Sequence, residues 1–168
     1  MEFRRINEGE GTYLAAKYRT DDDVKQLKSI LEDVKNCDDR VEIAHKLFKF
    51  HHVILCASGN NIFPLVYNAF EGFFLKLISS LFGYCDKEEI LFGLDNLVVA
   101  IEQKDCDGAR NQIETIFKNG IEDINKHCID YSVYWFFVAK YSQIAVDRLQ
   151  SQSLRCVKVV FRTLQIDL

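Results

Sequence analysis

The chain has 168 residues, a formal charge of −4, 48% hydrophobic residues, eight glycines and one proline. That length suits a single domain, and the apolar content buries a substantial core without outside help. The scarcity of chain breakers argues against a many-turned β-architecture, and the mixed charges lack the basic face of a DNA-binding module.

Read in chain order, the apolar spacing predicts a first helix over about 6–17. Thr20 has the character of an N-cap, and Asp21, Asp22 and Asp23 load the turn behind it, where carboxylates meet the positive end of the helix dipole. Val24, Leu27, Ile30, Leu31 and Val34 then recur at helical spacing. Asp38 or Asp39 caps a third helix, on which Ala44, Leu47, Phe48, His51 and Leu55 share a face opposite His45, Lys49 and His52. Ser58-Gly59-Asn60 ends it, with Gly59 as a left-handed cap and Asn60 able to cap the next helix.

That next helix is expected to run unbroken over about 61–82, with Pro64 harmless in its first turn. It is apolar nearly all round, which places it in the middle of a bundle. Its polar positions, Asn68, Gly72, Lys76 and Ser79, fall on one stripe. A fifth helix carries Ile90, Leu94, Leu97, Val98 and Ile101. A sixth, from near Asp107, carries Ala109, Ile113, Ile116, Gly120 and Ile124. Residues 131–145 are aromatic-rich and read as helical, while 156–161 reads equally as helix or strand.

Six cysteines (Cys37, Cys56, Cys85, Cys106, Cys128, Cys156) are scattered without a CxxC pair, and the N-terminus has no apolar signal core. They are expected to be reduced, mostly buried apolar residues of a cytoplasmic protein. Glu71 and Lys76 interrupt the most apolar stretch, so no transmembrane helix and no membrane partner are expected.

The chain contains no GxxxxGK[ST], GxGxxG, HExxH or GxSxG signature. Ser58-Gly59-Asn60 reads as a helix corner rather than an exposed nucleophile. His51, on an apolar face, is either a core histidine bonded to a neighbour or one ligand of a site completed from other helices. Glu71 and Lys76 either snorkel outward or line a ligand cavity. His51 with Glu71 as a catalytic base pair is the weakest reading, since no nucleophile accompanies them, and no enzyme is expected.

The stretch FHHVILCASGNNIFPLVYNAFEGFF, with Phe50, His51, Ala57, Ser58, Gly59 and Asn60 at signature spacing, resembles the effector-binding C-terminal (FCD) domain of FadR-type regulators in the GntR superfamily. EFRRINEGEGTYLAAKYRTDDDVKQL and AIEQKDCDGARNQIETI resemble the same family upstream and downstream. The resemblance implies an all-α antiparallel bundle of six or seven helices over 1–128, binding a small effector centrally and forming a homodimer. Residues 129–168 would be a further extension, helical and packed on the bundle. It also implies that DNA is reached only through a winged-helix domain, which does not precede the sensor region in this chain.

Many members of that family hold a divalent metal with one Asp and three His. Three of the corresponding positions here are Leu47, Leu94 and Ile116, and only His51 remains, so the resemblance implies a cavity with no metal and no cofactor. Such a wall suits hydrocarbon, and NAFEGFFLKL and IETIFKNGIED resemble segments of the acyl-CoA-responsive members. Asp123 departs from that pattern, where a Ser is expected. The resemblance gives a candidate effector-binding set of His51, Asn60, Tyr67, Asn68, Glu71, Phe74, Lys76, Gly120 and Glu122, with a fatty acid or acyl-CoA as the effector. The competing expectation is a helical protein-interaction module whose core is filled.

Overall fold

The computed structural model describes residues 2–126 other than residue 84, and these form seven helices with no strand. The expectations for 129–168, including 131–145 and 156–161, and for Cys128 and Cys156 fall outside the described residues.

Local signals set the first half of the chain. Helix α1 (Glu2–Tyr18) starts earlier than the apolar spacing alone implies, because its opening turns bury polar rather than aliphatic residues. Helix α2 (Asp21–Lys35) begins at a full capping box: the Thr20 hydroxyl accepts from the Asp23 N–H, and the Asp23 carboxylate accepts from the Thr20 N–H. Its buried stripe is Val24, Leu27, Ile30, Leu31 and Val34. Of the two caps proposed for helix α3 (Arg40–Ala57), Asp39 fills the role, accepting from the Glu42 N–H at 2.8 Å. At the end of α3, Gly59 takes φ +72°, a region closed to most L side chains. Asn60 Oδ1 then accepts from the Ile62 N–H at 3.0 Å.

The single long helix expected over 61–82 does not form. It breaks at Phe70 (φ −103°, ψ 14°) into α4 (Ile62–Ala69) and α5 (Glu71–Leu81), whose axes bend by 71°. The physical reason lies on either side of the break. Tyr67 and Phe74 are seven residues apart, which on a straight helix means about 10 Å of axial separation. The bend turns both inward, and their rings stack at 4.6 Å.

The break also changes which helix is central. α4 leaves Ile62 and Leu65 half exposed, whereas α3 buries Ile43, Ala44, Leu47, Phe50, His51, Val53, Ile54 and Leu55. Helices α1, α2, α4 and α5 all pack on α3. Helix α6 (Lys87–Glu102), capped by Asp86, and helix α7 (Cys106–Lys126) close the bundle against α1 and α2. Among the described residues no single helix is long and apolar enough to cross a membrane. The cysteines correct one expectation: of the four described, all free, only Cys37 is buried, while Cys56 is exposed and Cys85 and Cys106 are intermediate.

Candidate functional site

Helix α1 points an unusual stripe at the interior. Arg4, Glu8, Thr12, Ala15 and Ala16 recur at helical spacing and are all buried, so the head of the stripe is charged and its tail is small. The small residues let α1 approach α3 closely: a Cβ on Gly11 would stand 2.3 Å from Leu55 Cδ2.

The charged head forms a closed unit with α3. Arg4 grips Glu8 at both carboxylate oxygens, with Nε–Oε1 2.5 Å and Nη2–Oε2 3.0 Å. His51 Nδ1 lies 3.2 Å from Glu8 Oε2. The Arg4 guanidinium also sits 4.1 Å from the Phe117 ring centroid and 5.0 Å from that of Phe74. Burial alone would raise the Glu8 carboxyl, but the Arg4 charge and the hydrogen bonds from His51 and Arg4 outweigh it and bring the pKa to about 2. With Nδ1 committed to Glu8, Nε2 is the remaining polar atom of the imidazole.

Beside this unit, Tyr67 is wholly buried between Phe48 and Phe74, with ring centroids at 4.7 and 4.6 Å. Its hydroxyl has no hydrogen-bond partner among the described residues. Burial, and then the Glu8 charge, push the phenol well above its ordinary pKa, against a smaller opposing pull from Arg4.

Arg4 and His51 open onto a cavity of about 380 Å³ between α3, α5, α6 and α7. Its walls include Leu47, Leu77, Ile78, Leu94, Ile116 and Phe117, and Gly93 and Gly120 thin them where α6 and α7 face the space. The exposed side chains of Glu89, Asn96 and Asn119 mark its solvent side.

Of the residues singled out from the sequence, His51, Leu47, Leu94, Ile116 and Gly120 therefore share one cavity. The others do not line it. Tyr67 and Phe74 pack behind it; Asn60 sits exposed at the α3–α4 corner. Asn68 is exposed and bonded to His52, and Glu71 and Lys76 are exposed on α5, turned away by the bend. Glu122 is exposed beside Lys118 at 4.0 Å. The 71° bend separates Asn68, on α4, from Gly72, Lys76 and Ser79, which stay together on α5. Sequence reasoning missed Arg4 and Glu8. Their signal was available: charges four residues apart on the same face of α1 as Thr12, Ala15 and Ala16.

The profile of the FCD domain matches residues 1–119, and the chain belongs to that family. This is the helical domain found in GntR-family transcription regulators, and the solved structure of E. coli McbR/YncC shares its fold, with a TM-score of 0.60 at 19% identity. The match covers 75% of this chain and 62% of that one, so this chain spans less than two thirds of the McbR/YncC length. No curated protein is significantly similar to the chain.

Members of this family that hold a divalent metal need several converging donors. Here one imidazole faces Leu47, Leu94 and Ile116 across the cavity, and no group of three or more His, Cys, Asp or Glu comes together among the described residues. That donor set does not fit a metal ion in the chamber.

Proposed function

We propose that this is the ligand-sensing domain of a GntR-type transcription regulator, and that its effector is an apolar molecule with one polar end, bound without metal. The observation that carries this reading is the cavity itself: about 380 Å³, walled by aliphatic side chains, with the Arg4–Glu8–His51 unit at one side. Small-molecule sites combine an apolar wall with a few fixed polar groups in this way. Arg4 and Glu8 neutralise each other, so the unit offers positioned polarity without an uncompensated charge. A volume near the lower end of the usual range for such sites, about 300–1,000 Å³, favours a fatty acyl chain over a whole coenzyme A thioester.

The reading includes a homodimer and a binding rather than catalytic role, in keeping with the family. Phe92 and Val99, seven residues apart on one face of α6, are exposed apolar side chains available to a partner copy. Ligand binding would bias a two-state equilibrium relayed to attached DNA-binding domains.

Thermal shift tests the proposal, using fatty acids of graded chain length beside acyl-CoAs and small organic acids. Fatty acids should raise the melting temperature with an optimum chain length, since ligand at a hundred times its Kd stabilises the native state by about 2.7 kcal/mol. A flat response to every class would favour the helical protein-interaction module instead. Light scattering after size exclusion reads the oligomeric state on the same sample.

A further inference from the structure

The bonding of the Arg4–Glu8–His51 unit decides what its open end can offer a ligand. Glu8 is a carboxylate, held at a pKa of about 2, and its Oε2 lies 3.2 Å from His51 Nδ1. A carboxylate only accepts hydrogen bonds, so the proton of that contact sits on Nδ1. Arg4 balances the Glu8 charge by gripping both oxygens, and no net negative charge is left in the unit to hold a second proton on the ring. His51 is buried and lines the chamber. Its neutral ring therefore presents Nε2 to the chamber as a bare lone pair.

Further out along the lining, acceptors again prevail. Thr115 spends its O–H on the Asn111 carbonyl at 2.8 Å. Asp86 and Glu89 add two carboxylates. Among the described lining residues Arg4 alone is cationic, and it is committed to Glu8. The remaining polar lining consists of the neutral amides of Asn96, Gln112 and Asn119, which serve either role.

Resting on the ligand-sensing reading, we propose that the polar end of the effector is an uncharged hydrogen-bond donor, a hydroxyl or a primary amide on an apolar chain, received by His51 Nε2. A carboxylate brings only lone pairs. It would face the Nε2 lone pair and the charges of Asp86 and Glu89, with no uncommitted cation to offset the loss of its water. An ammonium supplies the donor but must shed its water in an apolar chamber where Glu8 is already paired. A fatty acid supplies the donor only in its protonated form, so it binds more weakly than the alcohol of the same length.

Calorimetric titration of the full 168-residue chain with octanol, octanamide, octanoate and octylamine tests the head group at one chain length. At pH 8 the acid is ionised and the amine is charged. Octanol and octanamide should each bind about 10-fold or more tighter than either ion, since an unpaired buried polar group or an uncompensated charge weakens binding by at least that factor. His51→Asn keeps an amide N–H for Glu8 and removes the Nε2 acceptor. The preference for octanol over octanoate should then collapse, whereas a purely structural role would weaken both ligands and keep their ratio.

Octanoate or octylamine binding the parent as tightly as octanol overturns the assignment and leaves the sensor reading in place. So does a His51→Asn chain that keeps the parent's ratio. The four-ligand series on the parent decides by itself if that variant does not fold. Silence from all four ligands and from their longer homologues overturns the sensor reading, and the assignment with it.

Discussion

Glu8 Oε2 lies 3.2 Å from His51 Nδ1, joining α1 to α3 at a point where both side chains are almost wholly buried. The same oxygen accepts from Arg4 Nη2. One carboxylate thus holds a guanidinium and an imidazole in fixed positions at the wall of the chamber. Removing its charge would leave the buried Arg4 guanidinium without that counter-charge.

The pH dependence of stability is set by that pairing. The folded-state pKa of Glu8, about 2, lies below its ordinary 4.5. The unfolded chain therefore binds the proton more readily, and the contribution is complete above about pH 4.5 and is lost as the pH falls towards 2. Its size is on the order of 3 kcal/mol. Glu8→Gln should cost about 3 kcal/mol or more at pH 7. Urea midpoints at pH 7, 4 and 2.5 should show the gap between parent and variant closing as the pH drops. A gap independent of pH would contradict the pairing.

Tyr67 tests the other polar group beside the unit. Its hydroxyl is buried without a hydrogen-bond partner among the described residues, and such groups cost roughly 1–3 kcal/mol. Tyr67→Phe keeps the stacking with Phe48 and Phe74 and removes the orphan. Thermal melts should show a gain of about 1 kcal/mol, or a rise of a few degrees. A loss of stability would mean that the hydroxyl has a partner.

The aliphatic positions facing His51 can be converted. Leu47→Asp, Leu94→His and Ile116→His, combined in one chain, would surround the cavity with one carboxylate and three imidazoles. Calorimetric titration with Ni²⁺ or Zn²⁺ should then detect one equivalent more than the parent chain binds. Absence of binding in a folded triple variant would show that the positions line one cavity without converging.

Gly11 is set by the approach of α1 to α3. Alanine is intrinsically better in a helix by about 1 kcal/mol, yet its Cβ would stand 2.3 Å from Leu55 Cδ2, an atom of a wholly buried side chain. Gly11→Ala should therefore destabilise the domain by about 1–3 kcal/mol in chemical denaturation. Adding Leu55→Val to make room should recover part of that loss.

How far sequence anticipates structure here turns on range. Thr20 and Asp23 announce α2 because both halves of a capping box lie within four residues, and its five apolar positions are the five that are buried. Gly59 announces the end of α3 because a positive φ is a local demand. His51, Leu47, Leu94 and Ile116 are brought together by likeness to a family, and they line the same cavity. No proline marks Phe70 as a break, and the weak helix formers Asn68 and Gly72 on either side of it do not by themselves stop a helix. The bend arises from the stacking of Tyr67 on Phe74 beneath α3, which exists only once the bundle has formed.

What the chain determines by itself is the set of helices fixed by short-range hydrogen bonding and apolar period, together with a family signature at the α3–α4 corner. Tertiary structure decided which helix lies at the centre and which polar residues share the interior. The Arg4–Glu8 pair can be read from its spacing on α1, but nothing in the sequence joins it to His51: a buried charged pair becomes tolerable only when packing closes over it and another helix brings a further hydrogen-bond donor within about 3 Å.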